Sequence, residues 1–328
     1  MAVFTEVTLA EAQALTKTYP HIGTLKSLEG IAEGTENTNY RLKTEGGLAI
    51  LTLFEGRVDH SKLGWYIELQ THIRAAGIPA PKTFINANGK SIQKVKNIPA
   101  AIFEHLGGMA TAEPTPKQCT AAGQALAHLH LAAKDFTPQH KNPMDISTLR
   151  QMQGTIMADV PELPGPMMTL FESLVDSTVD VSKGLLELPE NLPHGVGHLD
   201  YFPDNVFFER DNVSGIIDYF FAGDDYWAYD LAIALIAWGF DSRTGSLRPE
   251  RFAAFTQGYT QVRPLEEAEQ AAMPLFLTLA AARFLTTRLY DAVLPRKRGT
   301  GQAHNPLTMY RRLVYVRGQA NWQDYPIS

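Results

Sequence analysis

Cysteine is almost missing from this sequence, because Cys119 is the only one among 328 residues. A single thiol cannot form an internal disulfide, so a disulfide framework is excluded and we expect a reducing compartment, the cytoplasm. Free cysteine is among the most buried residue types. We therefore interpret Cys119 as a small apolar core residue and not as a reactive thiol.

Long hydrophobic runs and an excess of basic charge are also lacking. No stretch approaches the roughly 18 uncharged apolar residues of a membrane span, and the apolar segment 230–240 is short enough to be a core helix. The N-terminus carries acids early and lacks the basic start and apolar run of an export signal. The net charge of −6 argues against a broad nucleic-acid surface. We expect neither a membrane nor a nucleic-acid partner, and the oligomeric state stays open.

The composition that remains is that of an ordinary globular protein, with 45% hydrophobic and 20% charged residues. A chain of this length can form one large domain or two lobes with separate cores. Short β-like runs bounded by glycine, proline or asparagine fill much of the first third. They predict strands at 25–28, 39–42, 49–54, 81–85 and 99–103, with a helix capped by Thr8 that ends near Tyr19 and another helix at 61–75.

From Thr115 onward the pattern turns helical. Apolar residues recur at helical spacing over 118–133, a helix is predicted near 167–179, and most of 250–318 is predicted to be helical. We therefore predict a small N-terminal lobe at 1–104 and a helical lobe at 105–328, connected near Gly107-Gly108. Two unequal lobes form a cleft, which is a common place for a ligand site.

The segment from His194 to Asp218 carries the residues with chemical potential. His198, Asp200 and Asn205 form the pattern H-x-D-x-x-x-x-N. Asp218 ends a predicted strand, and a hairpin of 206–208 with 215–217 would bring Asn205 and Asp218 side by side.

Phosphoryl transfer from ATP requires this set of groups. One carboxylate orients the attacking hydroxyl and accepts its proton, while a carboxylate and an amide oxygen hold Mg²⁺ against the ATP phosphates. Asp200 fits the first role, and Asn205 and Asp218 fit the second. We expect His198 to brace the loop by hydrogen bonds. The pattern therefore predicts a kinase that uses ATP and Mg²⁺ and phosphorylates a small alcohol.

Zinc is the alternative for this segment. His194 and His198 are four residues apart and could bind zinc together with Asp200 if they lay on one helix. Pro193, Gly195 and Gly197 favour an irregular loop instead.

A turn in the first hairpin is a candidate phosphate cradle. It contains Gly30, Gly34, Asn37 and Asn39 between two predicted strands. Backbone amides of such a turn can bind phosphates, although an ordinary hairpin turn explains the same residues equally well.

Taken together, these segments resemble the aminoglycoside phosphotransferase and choline kinase superfamily, which has a protein-kinase-like fold. More narrowly, the chain resembles the bacterial type II homoserine kinases, which make O-phosphohomoserine in threonine biosynthesis. The narrower resemblance rests on six segments in family order: 30–40 (GIAEGTENTNY), 51–55 (LTLFE), 200–208 (DYFPDNVFF), 217–222 (IDYFFA), 229–233 (YDLAI) and 288–291 (RLYD).

The resemblance implies an α+β fold with a small antiparallel-sheet lobe and a large, mainly helical lobe. It implies that Asp200 is the base, that Asn205 and Asp218 bind Mg²⁺, and that the Gly30–Gly34 turn covers the ATP phosphates. It further implies an adenine contact by the backbone around Phe103, Glu104 and Leu106.

The sequence departs from the superfamily at the phosphate-binding lysine of the third strand, where Thr52 stands. The resemblance implies that Glu68 is the helix acid that usually pairs with this lysine, so its role is left open. Arg57 is the nearest cation after the strand and is a candidate source of positive charge on the phosphates, although a solvated loop arginine is the ordinary interpretation.

A homoserine site needs groups for an ammonium and a carboxylate besides Asp200. Asp204, Asp224 and Asp225 are candidate ammonium partners, and Tyr219 lies in a matching segment and is a further candidate. Asp230 is expected to be a helix cap or a brace for the loop. Arg283 and Arg288 could each bind the carboxylate with two hydrogen bonds, or could form structural ion pairs.

Two other functions stay open at this point. One is a kinase of another small alcohol, such as choline, an aminoglycoside or a sugar, and Trp227, Tyr229 and Trp238 could form the aromatic cage that choline needs. The other is a weakly active nucleotide-binding module, which the missing lysine would explain.

Overall fold

The computed structural model describes residues 3–32, 37–160, 162–294 and 304–327. The described residues form two compact units, and the first of them ends at Gly107. None of the helices in these ranges is both long and apolar enough to cross a membrane.

The first unit is built on a five-stranded antiparallel sheet, as the sequence predicts. Its strands are β1 (Leu25–Gly30), β2 (Thr38–Thr44), β3 (Gly47–Leu53), β4 (Ile92–Val95) and β5 (Ile98–Glu104). The spatial order is β1-β2-β3-β5-β4. Leu42, Leu51 and Ile102 lie in the core on one face of this sheet and are completely buried.

One predicted strand, at 81–85, is wrong, and β4 is the fifth strand instead. In the predicted segment only Thr83 forms an isolated bridge, to Phe103. Proline has no N–H for a ladder, so Pro81 weakens pairing there. β4 and β5 are joined by a tight turn in which Lys96 and Asn97 have φ angles of 50° and 66°. Two left-handed residues match the twist of a hairpin.

Two helices complete the first unit. α1 (Leu9–Thr16) begins with the predicted capping box, in which Thr8 and Glu11 bond each other's backbone N–H, but it ends before Tyr19. α2 (Leu63–Ala75) follows one 3₁₀ turn, and its predicted apolar residues Leu63, Ile67 and Ile73 are buried.

The second unit is mainly helical. Its helices are α3 (Pro116–Ala133), α4 (Ile146–Asp159), α5 (Gly165–Leu185), α6 (Trp227–Trp238), α7 (Pro249–Val262), α8 (Glu267–Val293) and α9 (Pro306–Arg317). Every residue of α6 is buried, so the apolar segment is a core helix, as predicted. Burial also raises the pKa of the Cys119 thiol in α3 to about 12, which agrees with an unreactive core cysteine.

Two small antiparallel sheets hold the chemically interesting segment. β6 (His194–Gly197) pairs with β9 (Gly223–Tyr226), and β7 (Val206–Glu209) pairs with β8 (Asn212–Ile216). Residues 198–205 connect β6 to β7, and Asp218 lies between β8 and β9. The antiparallel sheet of the first unit and the helices of the second give the α+β composition that the sequence predicts.

Candidate active site

Asp230 on α6 holds the start of the segment His198–Asn205, which we call the HxD loop. Its Oδ2 accepts a hydrogen bond from the His198 N–H at 2.7 Å, and its Oδ1 accepts one from the Leu199 N–H at 2.8 Å. A Cβ at Gly197 would lie 2.7 Å from the same Oδ2, so glycine allows this approach. Leu199 has a φ of 56°, which is unfavourable for a leucine and is maintained by these bonds. Of the two roles predicted for Asp230, the contacts support the brace.

His130 on α3 extends this support. Its Nε2 lies 2.9 Å from Asp230 Oδ2, and its Nδ1 lies 2.7 Å from the Tyr259 hydroxyl. Burial lowers the pKa of His130. Burial alone would raise the pKa of Asp230, but the hydrogen bonds from His130 and from the loop hold it below its usual value. A neutral histidine therefore supports an ionised aspartate. Sequence reasoning missed His130, although it continues the helical series Ala122, Leu126.

His198 connects the loop to the strand end that precedes Asp218. Its Nε2 donates to the Ile217 carbonyl oxygen at 3.0 Å, and its Nδ1 accepts from the Asp200 N–H at 3.3 Å. Burial lowers its pKa, so one neutral tautomer satisfies both bonds. His198 is thus a positioning residue, as expected from its bracing role, and not a group in contact with the reacting atoms.

The zinc alternative fails at these two histidines. Both ring nitrogens of His198 are occupied by backbone groups, and the ring is completely buried. His194 lies in β6, with its Nδ1 3.1 Å from the Leu192 carbonyl oxygen, and not on a helix that would align both rings. The two imidazole rings are therefore not arranged to bind one zinc ion.

Removal of the Asp230 carboxylate should destabilise the fold. Asp230→Ala leaves two buried loop N–H groups without their acceptor, at roughly 1.5–3 kcal/mol for each bond to a charged group. We expect the free energy of unfolding, measured by urea denaturation, to fall by about 3 kcal/mol or more.

The matched control is Asp180→Ala, which removes an exposed carboxylate paired with Arg317. An exposed ion pair contributes about 0–1 kcal/mol, so this variant should behave like the wild type. Equal stability of the Asp230 and Asp180 variants would contradict the bracing role.

Aromatic residues pack beneath the HxD loop. Trp238 Nε1 donates to the Tyr201 carbonyl oxygen at 2.8 Å, and the Tyr201 hydroxyl donates to a carbonyl of α3 at 3.1 Å. Tyr219 lies with its ring centroid 4.8 Å from that of His198 and is completely buried. The ring of Tyr219 therefore packs against the histidine that braces the loop, and its substrate role stays a prediction.

Asp200, Asn205 and Asp218 are brought to one place by the loop and the hairpin. Asn205 Nδ2 donates to the Asp200 carbonyl oxygen at 2.9 Å and lies 3.4 Å from its Oδ2. The Ile217 N–H donates to the Asn205 carbonyl oxygen at 2.9 Å, so the residue before Asp218 lies directly beside Asn205. The β7–β8 hairpin thus has the predicted effect.

The donor set of this site suits Mg²⁺. The Asn205 amide nitrogen faces Asp200, and none of the residues that the structure describes donates to its Oδ1. An amide oxygen beside the carboxylate of Asp218 gives two hard oxygen ligands. Mg²⁺ is commonly held by one or two such protein groups together with substrate phosphates. Asn205 and Asp218 could therefore hold the metal.

In the first unit, Thr52 occupies the position expected for the lysine. It is buried in β3 and donates from Oγ1 to Asn39 Oδ1 at 2.7 Å, directly across from it in β2. Glu68 on α2 is exposed, and within the described ranges it has no ion pair. The usual acid–lysine pair is thus absent at Thr52, and a nucleotide role of Glu68 stays a prediction.

The remaining candidates for phosphate contact are only partly described. Gly30 ends β1, and Asn37 Oδ1 accepts from the Glu55 N–H at 3.3 Å. Gly34 lies outside the described residues. Arg57 follows β3 in a bend and is half-buried. The phosphate roles of Gly30, Asn37, Asn39 and Arg57 stay predictions.

The segment predicted to contact adenine ends β5. Phe103 is buried, and the Glu104 N–H donates to the Lys82 carbonyl oxygen at 2.8 Å. The backbone N–H groups of His105 and Leu106 have no hydrogen-bond partner in the described parts of the chain. Such groups are suited to an adenine edge, and this role stays a prediction.

The candidate substrate residues occupy two places in the second unit. Asp204, on the HxD loop, is exposed to solvent. The surrounding protein raises the pKa of its carboxyl group, and the charges of His304 and Arg288 act against this rise. Asp224, in β9, accepts the His140 N–H at 2.9 Å, and burial raises its pKa as well. Burial raises the pKa of Asp225, and the positive charge of Arg283 acts against this rise. The charge of Arg283 thus acts on Asp225, whereas that of Arg288 acts on Asp204.

The sequence model of the phosphotransferase enzyme family matches residues 27–265. The chain therefore belongs to this phosphotransferase family. The solved structure of amicoumacin kinase hAmiN, in complex with AMP-PNP, Ca²⁺ and Ami, is similar with a TM-score of 0.69 and 16% identity, covering 95% of this chain and 94% of that one. This likeness confirms the predicted kinase-like fold.

Relatives that match over their full length show to which group of phosphotransferases the chain belongs. The homoserine kinase of Parvibaculum lavamentivorans is 41% identical over 329 residues, covering 100% of both chains. The homoserine kinase of Methylorubrum populi is 39% identical over 99% of both chains. Within the phosphotransferase family, the chain belongs with the homoserine kinases, which confirms the narrower resemblance.

Proposed function

We propose that the chain transfers the γ-phosphoryl group of ATP to the side-chain hydroxyl of L-homoserine, giving O-phospho-L-homoserine and ADP. The observation that carries this proposal is the 41% identity to a homoserine kinase over the full length of both chains. The reaction belongs to threonine biosynthesis, and the cytoplasm, which supplies ATP, is the proposed location.

Asp200 is the proton acceptor in this mechanism. The homoserine hydroxyl oxygen forms a bond to the γ-phosphorus while the bond from that phosphorus to the β–γ bridging oxygen breaks. The hydroxyl proton moves to the Asp200 carboxylate, and ADP leaves. Asn205 Nδ2 donates to the Asp200 carbonyl oxygen, and the Asp200 N–H donates to His198 Nδ1, so both backbone groups of Asp200 are fixed in position. Their task is to hold the carboxylate where the hydroxyl can approach.

Asn205 and Asp218 would hold Mg²⁺, which supplies charge neutralisation on the phosphates when bound. The amides after Glu104 would bind adenine, and the first hairpin would cover the phosphates. Because Thr52 replaces the usual lysine, we propose that Arg57 supplies positive charge at the phosphates. Its position in the bend that follows β3 supports this assignment.

The choline alternative loses its structural support. Trp227 is buried between the His130 ring, stacked at 5.7 Å, and the Arg263 guanidinium at 4.8 Å. Tyr229 and Trp238 are core residues with at most 1% exposure. None of the three is available as the wall of an aromatic cage for a quaternary ammonium group. The retained Asp200, Asn205 and Asp218 likewise disfavour a weakly active binding module.

A panel of alcohols tests the substrate. With Mg–ATP and purified protein, we expect the highest kcat/KM for L-homoserine among L-homoserine, L-serine, L-threonine, choline and kanamycin. The threonine hydroxyl is one carbon closer to the charged centre, and a misplacement of about 1 Å can cost about 10²-fold. L-Threonine should therefore be poorer by about 10²-fold. ADP release measures each rate.

The same assay with Asp200→Asn protein corrects for contaminating kinases. Better turnover of choline or kanamycin than of L-homoserine would remove the homoserine assignment and leave only the phosphotransferase family.

A further inference from the structure

Arg283 on α8 is a buried cation whose hydrogen bonds are not accounted for. The residue is 2% exposed, and its Nε and Nη1 have no hydrogen-bond partner among the residues that the structure describes. Two other buried arginines of the second unit are better satisfied. Arg263 pairs with Glu269 at 2.8 Å, and Arg312 donates to the Ile236 carbonyl oxygen at 2.6 Å, with only its Nε lacking a partner among the described residues. Asp225 and Tyr229 feel the charge of Arg283, but two buried nitrogens that form no hydrogen bond are still costly. An anionic group of a ligand would satisfy them.

The position of Arg283 connects it to the HxD loop. Its guanidinium carbon lies 4.9 Å from the centre of the Phe284 ring. The Phe284 ring in turn lies 4.7 Å from the ring of Phe202, which is two residues after Asp200. Arg283 is therefore next to the residue of α8 that contacts the loop bearing the proposed proton acceptor.

An acid accompanies this cation. Asp225 is half-buried in β9, opposite Gly195 of β6, the strand that leads directly into the HxD loop. Burial raises the pKa of Asp225, and the charge of Arg283 acts in the opposite direction, so the two groups are within electrostatic reach. Asp225 accepts from Asn142 Nδ2 at 2.7 Å and from the Tyr226 N–H at 2.8 Å. A carboxylate has about four acceptor sites, which leaves room for a further donor.

Arg288 has a different environment. Its Nη1 donates to Thr308 Oγ1 at 2.7 Å, and it faces Asp204. Of the two arginines that the sequence leaves equivalent, Arg288 is already engaged with the start of α9, whereas Arg283 is the one with unused donors.

We propose that Arg283 binds the carboxylate of the amino-acid substrate and that Asp225 binds its ammonium group. The proposal rests on the proposed function and adds to it the residues that distinguish an amino acid from a simple amino alcohol. A planar guanidinium suits a carboxylate because two parallel N–H groups match its two oxygens.

Substrate analogues that lack one charge test the assignment. 3-Aminopropan-1-ol is homoserine without its carboxylate, and 4-hydroxybutanoate is homoserine without its ammonium group. We expect Arg283→Gln to lower the ratio of kcat/KM for L-homoserine to that for 3-aminopropan-1-ol by about 10–100-fold, the equivalent of roughly 1.5–3 kcal/mol for a charged hydrogen bond. Asp225→Asn should lower the ratio of L-homoserine to 4-hydroxybutanoate in the same way.

Arg288→Gln is the matched control, and it should retain both ratios. A ratio unchanged in Arg283→Gln, or lost in Arg288→Gln instead, would overturn the proposal. Absence of homoserine turnover in the wild type is a separate result, which refutes the proposed function itself.

Should Arg283→Gln not fold, or the analogues react too slowly, a crystal structure of the wild type with L-homoserine and AMP-PNP decides. The substrate carboxylate should then lie within hydrogen-bond distance of Arg283, and a carboxylate bound elsewhere would refute the assignment.

Discussion

Asp200→Asn should reduce kcat by about 10²–10⁴-fold, because general-base catalysis contributes about this much and an amide cannot accept the hydroxyl proton. The substitution preserves the shape of the side chain. It also leaves the backbone of residue 200 intact, which carries the bonds from Asn205 and His198. Affinity for Mg–AMP-PNP, measured by calorimetry, should therefore stay close to that of the wild type.

The control for this variant is Asp211→Asn, an exposed aspartate in the turn between β7 and β8. It makes the same chemical change close to the loop and should retain full turnover. If Asp200→Asn retained kcat within a few fold of the wild type, Asp200 would not be the proton acceptor.

Asp218→Asn should weaken Mg²⁺-dependent nucleotide binding and turnover by about 10²-fold. Loss even of a group that only supports a metal ligand costs about 10–100-fold in metal affinity, and here a charged candidate ligand is neutralised. Asparagine is the suitable replacement because Asp218 has a φ of 64°, a conformation that asparagine tolerates better than alanine does.

The measurement is a calorimetric titration with AMP-PNP, with Mg²⁺ and again with EDTA. The wild type should lose affinity on chelation, and the Asp218→Asn variant should show little further loss. A variant that keeps both its affinity and its full response to Mg²⁺ would make Asp218 a structural residue.

Local sequence patterns were sufficient to predict most of the first unit. The capping box at Thr8 and Glu11 and the alternation in β2 and β3 involve residues close together in the chain, so propensity and pattern decide them. The edge strand β4 was not predicted, because the turn that follows it, Lys96-Asn97, contains no glycine or proline to mark it in the sequence. The segment 81–85 was predicted to be a strand in its place.

The active-site loop was predictable because its functional residues lie close together in the sequence. Asp200 and Asn205 are five residues apart, and a short hairpin brings Asp218 to them. The support beneath the loop was not predictable in the same way. His130 lies 100 residues from Asp230 in the chain, and only tertiary packing brings their side chains together. For the same reason the sequence could not distinguish Arg283 from Arg288 as the residue that binds the substrate carboxylate. Helical spacing predicts which face of the helix a side chain lies on, but not which residues it contacts.

The most direct test of homoserine kinase activity is product identification in a reaction of purified protein with Mg–ATP and L-homoserine. Phosphorus NMR and mass spectrometry should show one O-phospho-L-homoserine for each ADP formed, and Asp200→Asn protein should form almost none in the same time. ATP that stays unconsumed with L-homoserine, or hydrolysis to free phosphate without phosphohomoserine, would contradict the assignment of this chain as a homoserine kinase.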